Sequence, residues 1–244
     1  MNKTKDYECC IIVPVFNESG NMGRLEGALA AYLPKAVCSV CVVFVNDGST
    51  DDSLTKIKEA CGRNSDFFFV SLRKNAGLST ALKAGIDIAQ SEFIGYMDAD
   101  LQTSPDDFNL LLALRAEYDM VTGIRVNRKD SRMKRLQSRV ANGFRRMMTH
   151  DGMRDTGCPL KMIRAVYAKR IPFFNGMHRF LPFFILLQHG RVKQIPVRHF
   201  PRMAGKSKYG LWNRLVGPFT DCFVCRWMRA RYINYSIADS NLSL

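Results

Sequence analysis

The chain has 244 residues, 47% of them hydrophobic and 24% charged, which excludes an intrinsically disordered protein. Its formal net charge of +14 points to polyanionic partners: nucleic acid, an anionic bilayer or phosphorylated substrates. Eight cysteines lack the framework spacing of a secreted disulfide scaffold. Neither C-x-x-C pair, Cys38/Cys41 or Cys222/Cys225, has the further ligands that a structural zinc site needs. No apolar segment precedes the first strand in "MNKTKDYECC", and no apolar run approaches the roughly 18 residues of a membrane span. The expected compartment is reducing and cytosolic.

In chain order, "CCIIVPVF" is a near-continuous apolar run, the pattern of a strand buried on both faces. Met22, Leu25, Leu29 and Leu33 then recur at helical spacing. "VCVVFV" is the second strand, and Ser49, Thr50 or Asp51 is placed to cap the helix after it. "DFFFVSL" is a third strand, Leu78 to Ala89 a third helix and "EFIGYM" a fourth strand. A helix is expected over 105–116, with Pro105 just inside its start, and "DMVTGI" resumes the sheet. This alternation predicts an α/β domain with right-handed crossovers and a mainly parallel sheet. From Arg128 the rhythm changes to a basic helix over 131–149, with Leu136, Val140, Phe144 and Met147/Met148 on one face. "CPLKMI", an aromatic segment over 173–190 and a last strand in "RVKQIPVRHF" follow.

Charge is segregated along the chain. Acidic residues gather at Asp47–Asp52 and Asp98–Asp107, and basic ones at Arg125–Arg146 and Arg198–Arg214. Ligands of a parallel α/β sheet bind outside the carboxyl ends of its strands. Three polar clusters fall there: Asn17-Glu18-Ser19, Asn46 to Asp51, and Asp98-Ala99-Asp100. Singly, each has a plain alternative, since Asn-Asp-Gly is a turn formula and D-x-D arises by chance. The first loop, "PVFNESGNMG", lacks G-x-G-x-x-G, and no G-x-x-x-x-G-K-[ST] occurs, so neither a dinucleotide fingerprint nor a P-loop is present. Without a glycine cradle, a divalent cation is the natural means of holding a diphosphate beside carboxylates. Mg²⁺ or Mn²⁺ takes one or two carboxylates and completes its shell with phosphate oxygens and water.

"VPVFNES", "VNDGSTDDS", "KNAGLSTALKAG" and "MDADLQTSP" together resemble the GT-A domain of family 2 glycosyltransferases. "GIR" at 123–125, "SRVAN" at 138–142, "RDTGCPLKMIR" at 154–164, "HRFLP" at 178–182 and "PRMAGKSKYG" at 201–210 resemble the polyprenyl-phosphate branch, typified by dolichyl-phosphate mannose synthase. The resemblance covers roughly residues 9 to 210, in matching order. It implies a GT-A fold, with Pro14, Asn17, Glu18, Asp47 and Asp98 lining the nucleotide-sugar pocket and Asp47 near the base. It further implies a metal held by Asp98, Asp100 and Gln102. Arg125, Arg135 and Ser138 would face the sugar and acceptor phosphates, with Arg202, Lys206 and Ser207 closing over the site. Asp100, Arg125 and Asp155 are the implied catalytic set. The expected partners are a nucleotide-diphosphate sugar of the GDP-mannose or UDP-glucose type and a polyprenyl phosphate.

Two departures stand out: Asn46 replaces a second aspartate common in relatives, and the paired C-terminal transmembrane helices of many relatives are missing. Residues 1–210 are therefore expected to form the transferase domain, and 211–244 an amphipathic extension that meets a membrane or a partner. Gly217-Pro218 should kink or divide its helix. This predicts a peripheral protein on the cytoplasmic face of a membrane, with an integral membrane subunit as a candidate partner. Two rival readings remain. One is a glycosyltransferase acting on a saccharide or protein hydroxyl. The other is a basic nucleic-acid-binding module using aromatics such as Phe173, Phe174 and Phe180, against which no RNP-like or helix-turn-helix pattern is found.

Overall fold

The computed structural model describes residues 6–126, 132–201, 211–235 and 238–239, and the side chains of these except 132–139 and 211–216. Seven strands form one sheet in the order β3-β2-β1-β4-β6-β5-β7. They are β1 (Cys9–Val15), β2 (Val40–Asn46), β3 (Phe67–Ser71), β4 (Phe93–Tyr96), β5 (Met120–Arg125), β6 (Lys161–Arg164) and β7 (Val192–Val197). Strands β1 and β2 are buried almost throughout, as their unbroken apolar runs require. Pro14 is tolerated in this central strand for a local reason. The Cys9 N–H donates to Ser39 on the β2 side, so even-numbered residues of β1 aim towards β4. Pairing with β4 ends at Ile12–Tyr96, and Pro14 omits a ladder bond beyond that end.

Helices cover both faces. On one, α1 (Met22–Tyr32), α2 (Ser53–Arg63) and α4 (Phe108–Leu112) bury Leu25, Leu29, Ile57, Phe108 and Leu111 against β1, β2 and β4. On the other, α3 (Leu78–Ile88), α6 (Ala165–Lys169) and α7 (Leu181–Leu187) bury Leu82, Ile86, Ala168, Phe183 and Phe184. Two longer helices, α5 (Arg132–Thr149) and α8 (Leu211–Arg231), pack on each other, with Phe144 and Phe219 stacked at 4.7 Å.

Several expectations need revision. The helix expected over 105–116 is a 3₁₀ turn at Pro105–Asp107 followed by the short α4, and the chain then turns towards β5. Of the expected kink or division at Gly217-Pro218, the division is overturned, since one helix runs through both residues. Of the three candidates to cap α2, Asp51 does so: it accepts the N–H of Ser53, the first residue of the helix, at 3.0 Å, and also the Ser19 N–H at 3.1 Å, joining two loops. The stripe on α5 splits: Met148 is buried and Phe144 packs inward, while Val140 and Met147 are exposed. Phe180 is buried and Phe173 and Phe174 pack against the same core, so these aromatics are not a base-stacking platform.

The sheet is mixed because β6 runs antiparallel to both β4 and β5. Helix α5 packs on α8 rather than running back along the sheet, so the chain re-enters from the edge where β5 ended and must descend.

Candidate active site

The three polar loops meet at one sheet edge, because β2, β1 and β4 are consecutive and parallel. The order reverses between β1 and β4, the place where open α/β sheets leave a crevice. The first two loops are laced together. Asn17, at φ 49°, receives the Thr50 N–H on its Oδ1 at 2.8 Å, and its own N–H donates to Ser49 Oγ at 3.0 Å. The Glu18 N–H donates to Ser53 Oγ at 2.9 Å, and Glu18 Oε2 accepts from Asn21.

Asp47 is buried, and its carboxylate is spent on the next loop. It accepts from Asn75 Nδ2 at 2.8 Å, the Ala76 N–H at 2.8 Å and the Gly77 N–H at 2.9 Å. Gly48 at φ +63° allows the close approach, since a Cβ there would lie 2.3 Å from the Asn75 nitrogen. Asp47 thus fixes the entry to α3. At the second residue of α3, Ser79 Oγ takes the Gly176 N–H at 3.2 Å and meets His178 Nδ1 at 2.8 Å. Burial, then the charges of Arg179 and Lys161, push His178 down to about 3, so it is a neutral part of this packing.

Beyond β4 the chain reverses at Leu101, φ 53°, and Asp100 Oδ1 accepts the Gln102 N–H at 3.1 Å. Tyr96 O–H donates to Asp98 Oδ1 at 2.8 Å. Burial, and next the Asp100 carboxylate, push Asp98 up to about 6 against the opposing pull of Tyr96, Lys161 and Arg125. A buried carboxylate whose ionisation is made costlier by a second carboxylate beside it fits a hard cation, which removes that cost. Among the described residues no cluster of three or more His, Cys, Asp or Glu exists, so the other positions in such a shell fall to ligand oxygens and water. Gln102 is half-buried; its carbonyl accepts the Phe200 N–H at 2.9 Å. That bond, and the grip of buried Asp107 on Arg198 at 2.8 Å, tie the exit of β7 to this loop.

Arg125 ends β5 on the same edge. Asp155 accepts from its Nε at 2.9 Å, its NH2 group at 2.9 Å and its backbone N–H at 3.3 Å. Burial opposes the charge, but this two-point grip outweighs it and holds the guanidinium above its ordinary pKa. No described residue takes the NH1 group, which leaves its two hydrogens for an anion. Asp155 therefore aims Arg125. The Arg125 charge also acts on Asp98, opposing the burial that raises its carboxyl.

Arg135 and Ser138 lie on α5 among residues whose side chains are not described, and Arg202, Lys206 and Ser207 lie outside the described residues. Two residues were not singled out by the sequence reasoning. Arg145, on the basic helix, is buried and binds Asp151 and the Met153 carbonyl, so this arginine serves the fold rather than a phosphate. Lys161, the first residue of β6, is 1% exposed. Its signal was available as one charge inside the apolar run "CPLKMI".

Comparison with known proteins gives the family and the fold. Residues 10–185 match the profile of the family described as Glycosyl transferase family 2. Dodecaprenyl-phosphate galacturonate synthase of Rhizobium johnstonii is 34% identical over 213 residues, covering 85% of this chain and 63% of that protein. Undecaprenyl-phosphate 4-deoxy-4-formamido-L-arabinose transferase of Edwardsiella ictaluri is 32% identical over 217 residues, 88% of this chain and 66% of that protein. The chain thus spans just under two thirds of the curated relatives it matches. The fold is that of a mannosyltransferase from Pyrobaculum calidifontis, solved with GDP-Man and Mn²⁺. Its TM-score is 0.65 at 16% identity, over 96% of this chain and 67% of that one.

Proposed function

Because the chain belongs to glycosyl transferase family 2, we propose that it moves a sugar from a nucleotide diphosphate to the phosphate of a polyprenyl or dolichyl phosphate, inverting the anomeric carbon. The carrying observation is Arg125, gripped on one edge by Asp155 and open on the other, at the sheet edge that also bears Asp98 and Asp100. The names of the two curated relatives, both acting on long-chain prenyl phosphates, support the acceptor class.

The chemistry suits these residues. A phosphate monoester has its second pKa near about 6 and is already a charged nucleophile, so no strong general base is required. What remains is to position and neutralise. Asp98 and Asp100, with Gln102 beside them, would hold Mg²⁺ or Mn²⁺, which when bound neutralises the leaving diphosphate. Pro14, Asn17, Glu18 and Asp47 form or support the nucleotide wall. Arg125 binds the attacking phosphate and Asp155 keeps it aimed. Arg135, Ser138, Arg202, Lys206 and Ser207 are assigned to the acceptor phosphate from sequence.

Residues 1–210 are the transferase unit in this reading and 211–244 its membrane-facing extension, at the cytoplasmic face. No helix among the described residues is long and apolar enough to cross a membrane. Phe219, Phe223, Val224 and Trp227 of α8 are exposed, as are Val140 and Met147 of the helix it packs on, with Arg226, Arg229 and Arg231 exposed on α8 itself. Apolar side chains bordered by arginines suit an in-plane position at an anionic surface. An integral membrane subunit is an alternative occupant of that face.

A panel of nucleotide sugars incubated with polyprenyl phosphate and Mn²⁺, with products identified by mass, tests the assignment. The expected product is a glycosyl polyprenyl phosphate. Transfer only to free saccharide or peptide hydroxyls would overturn it.

A further inference from the structure

Lys161 sits on the strand between the donor and acceptor ends. Its register partners are Tyr96 of β4 and Thr122 of β5, two residues before Asp98 and three before Arg125. Lysine is rarely buried to this degree unless its ammonium is partnered. Here the partners are the carbonyls of Thr156 and Cys158 and the ring of Tyr96, whose centroid lies 5.6 Å from Nζ. The hydroxyl of that same ring donates to Asp98.

We propose that Lys161 is a positioning residue, which ties the Asp155–Cys158 loop to β4 and so holds the acceptor arginine Arg125 and the donor-end carboxylate Asp98 as one unit. The loop has no helix or strand hydrogen bonding to define its path. Its carbonyls at 156 and 158 point inward and need donors, which the ammonium supplies. Between them the backbone passes directly beside the guanidinium: a Cβ on Gly157 would lie 2.9 Å from Arg125 NH2. A small change of path therefore moves the carboxylate that aims Arg125. The other side of the loop is tied separately, by Gln194 to Arg154 N–H and the Asp155 carbonyl and by Arg145 to Asp151. Lys161 is the tie on the β4 side.

The inference rests on the function proposed above for its kinetic arm only. Lys161→Met and Lys161→Arg are made in the full chain, alone and on Arg125→Ala. Lys161→Met alone should lower kcat/KM for polyprenyl phosphate about a hundredfold, the order expected of an ångström-scale misplacement. The KM for nucleotide sugar should stay within about threefold. On Arg125→Ala the same change should cost less than about a further threefold, because the residue it acts through is gone. Full additivity would overturn the proposal. The second arm needs no turnover: hydrogen exchange at Arg125 Nε–H, followed by NMR and assigned with Arg125→Lys, should quicken about tenfold in Lys161→Met. Unchanged exchange would overturn the proposal whatever the kinetics. If wild type transfers no sugar, the preceding functional reading fails and this arm alone decides. If Lys161→Met does not fold, Lys161→Arg is held to the same criteria, since it keeps the charge but not the compact ammonium geometry.

Discussion

Asp98 meets two opposing demands, one from folding and one from its ligand. Its pKa of about 6 lies above that of an unfolded aspartate, so the folded protein binds the extra proton between about pH 4 and 6 and loses stability as pH rises through that window. Asp98→Asn should therefore stabilise the metal-free protein at pH 7 by about 1–3 kcal/mol, read by urea unfolding in chelator, with the gain gone below about pH 4. A variant less stable than wild type at pH 7 would contradict the account from burial and like charge. Asp100→Asn should keep the fold and lose about 99% of turnover or more, with weaker diphosphate binding. Near wild-type transfer by it, or by wild type in chelator, removes the cation from the scheme. Arg125→Lys should recover little of the loss seen in Arg125→Ala, because a point charge cannot be gripped by Asp155 on one edge and offer a second edge to phosphate. Comparing kcat/KM for polyprenyl phosphate in the two variants decides this. At this scale the sequence exposed residues at loop ends but not their partners. Asp47 was recognisable, yet its three bonds come from Asn75, Ala76 and Gly77, some 30 positions on.

Element by element, legibility followed burial. Strands β1 and β2 could be read because both of their faces are covered and the apolar run is unbroken. The direction of β6 could not, since it depends on where α5 comes to rest. The 105–116 segment showed a good helix start, but its turn towards β5 is a tertiary matter. Helix α8 has two kinds of surface. Cys222 and Cys225 are buried in the core shared with α3 and α7, while Val224 and Trp227 face outward. Deleting the helix would disturb both surfaces. The separable test is Val224→Glu with Trp227→Glu, which should cut co-sedimentation with anionic vesicles about tenfold and leave the melting temperature within about 2 °C. Unchanged sedimentation places the attachment elsewhere.

For the whole molecule, the net charge of +14 is a statement about association rather than fold. Pairs such as Arg145–Asp151, Arg125–Asp155 and Arg198–Asp107 cancel within it, so the surplus rests on other side chains. The exposed remainder should make vesicle binding fall about tenfold or more between roughly 0.05 and 0.5 M salt, while nucleotide binding, held by short-range contacts, changes far less. Equal salt sensitivity of the two would argue against a separate membrane face.

The antiparallel β6 also works as a ruler. Strands β4 and β5 point the same way, and one strand lies between them, so the two run side by side two hydrogen-bonding widths apart, about 10 Å. That gap is set by main-chain geometry, which side-chain substitution leaves unchanged. Within it, pocket side chains can vary to suit different sugars while the span from the Asp98 end to the Arg125 end stays the same length.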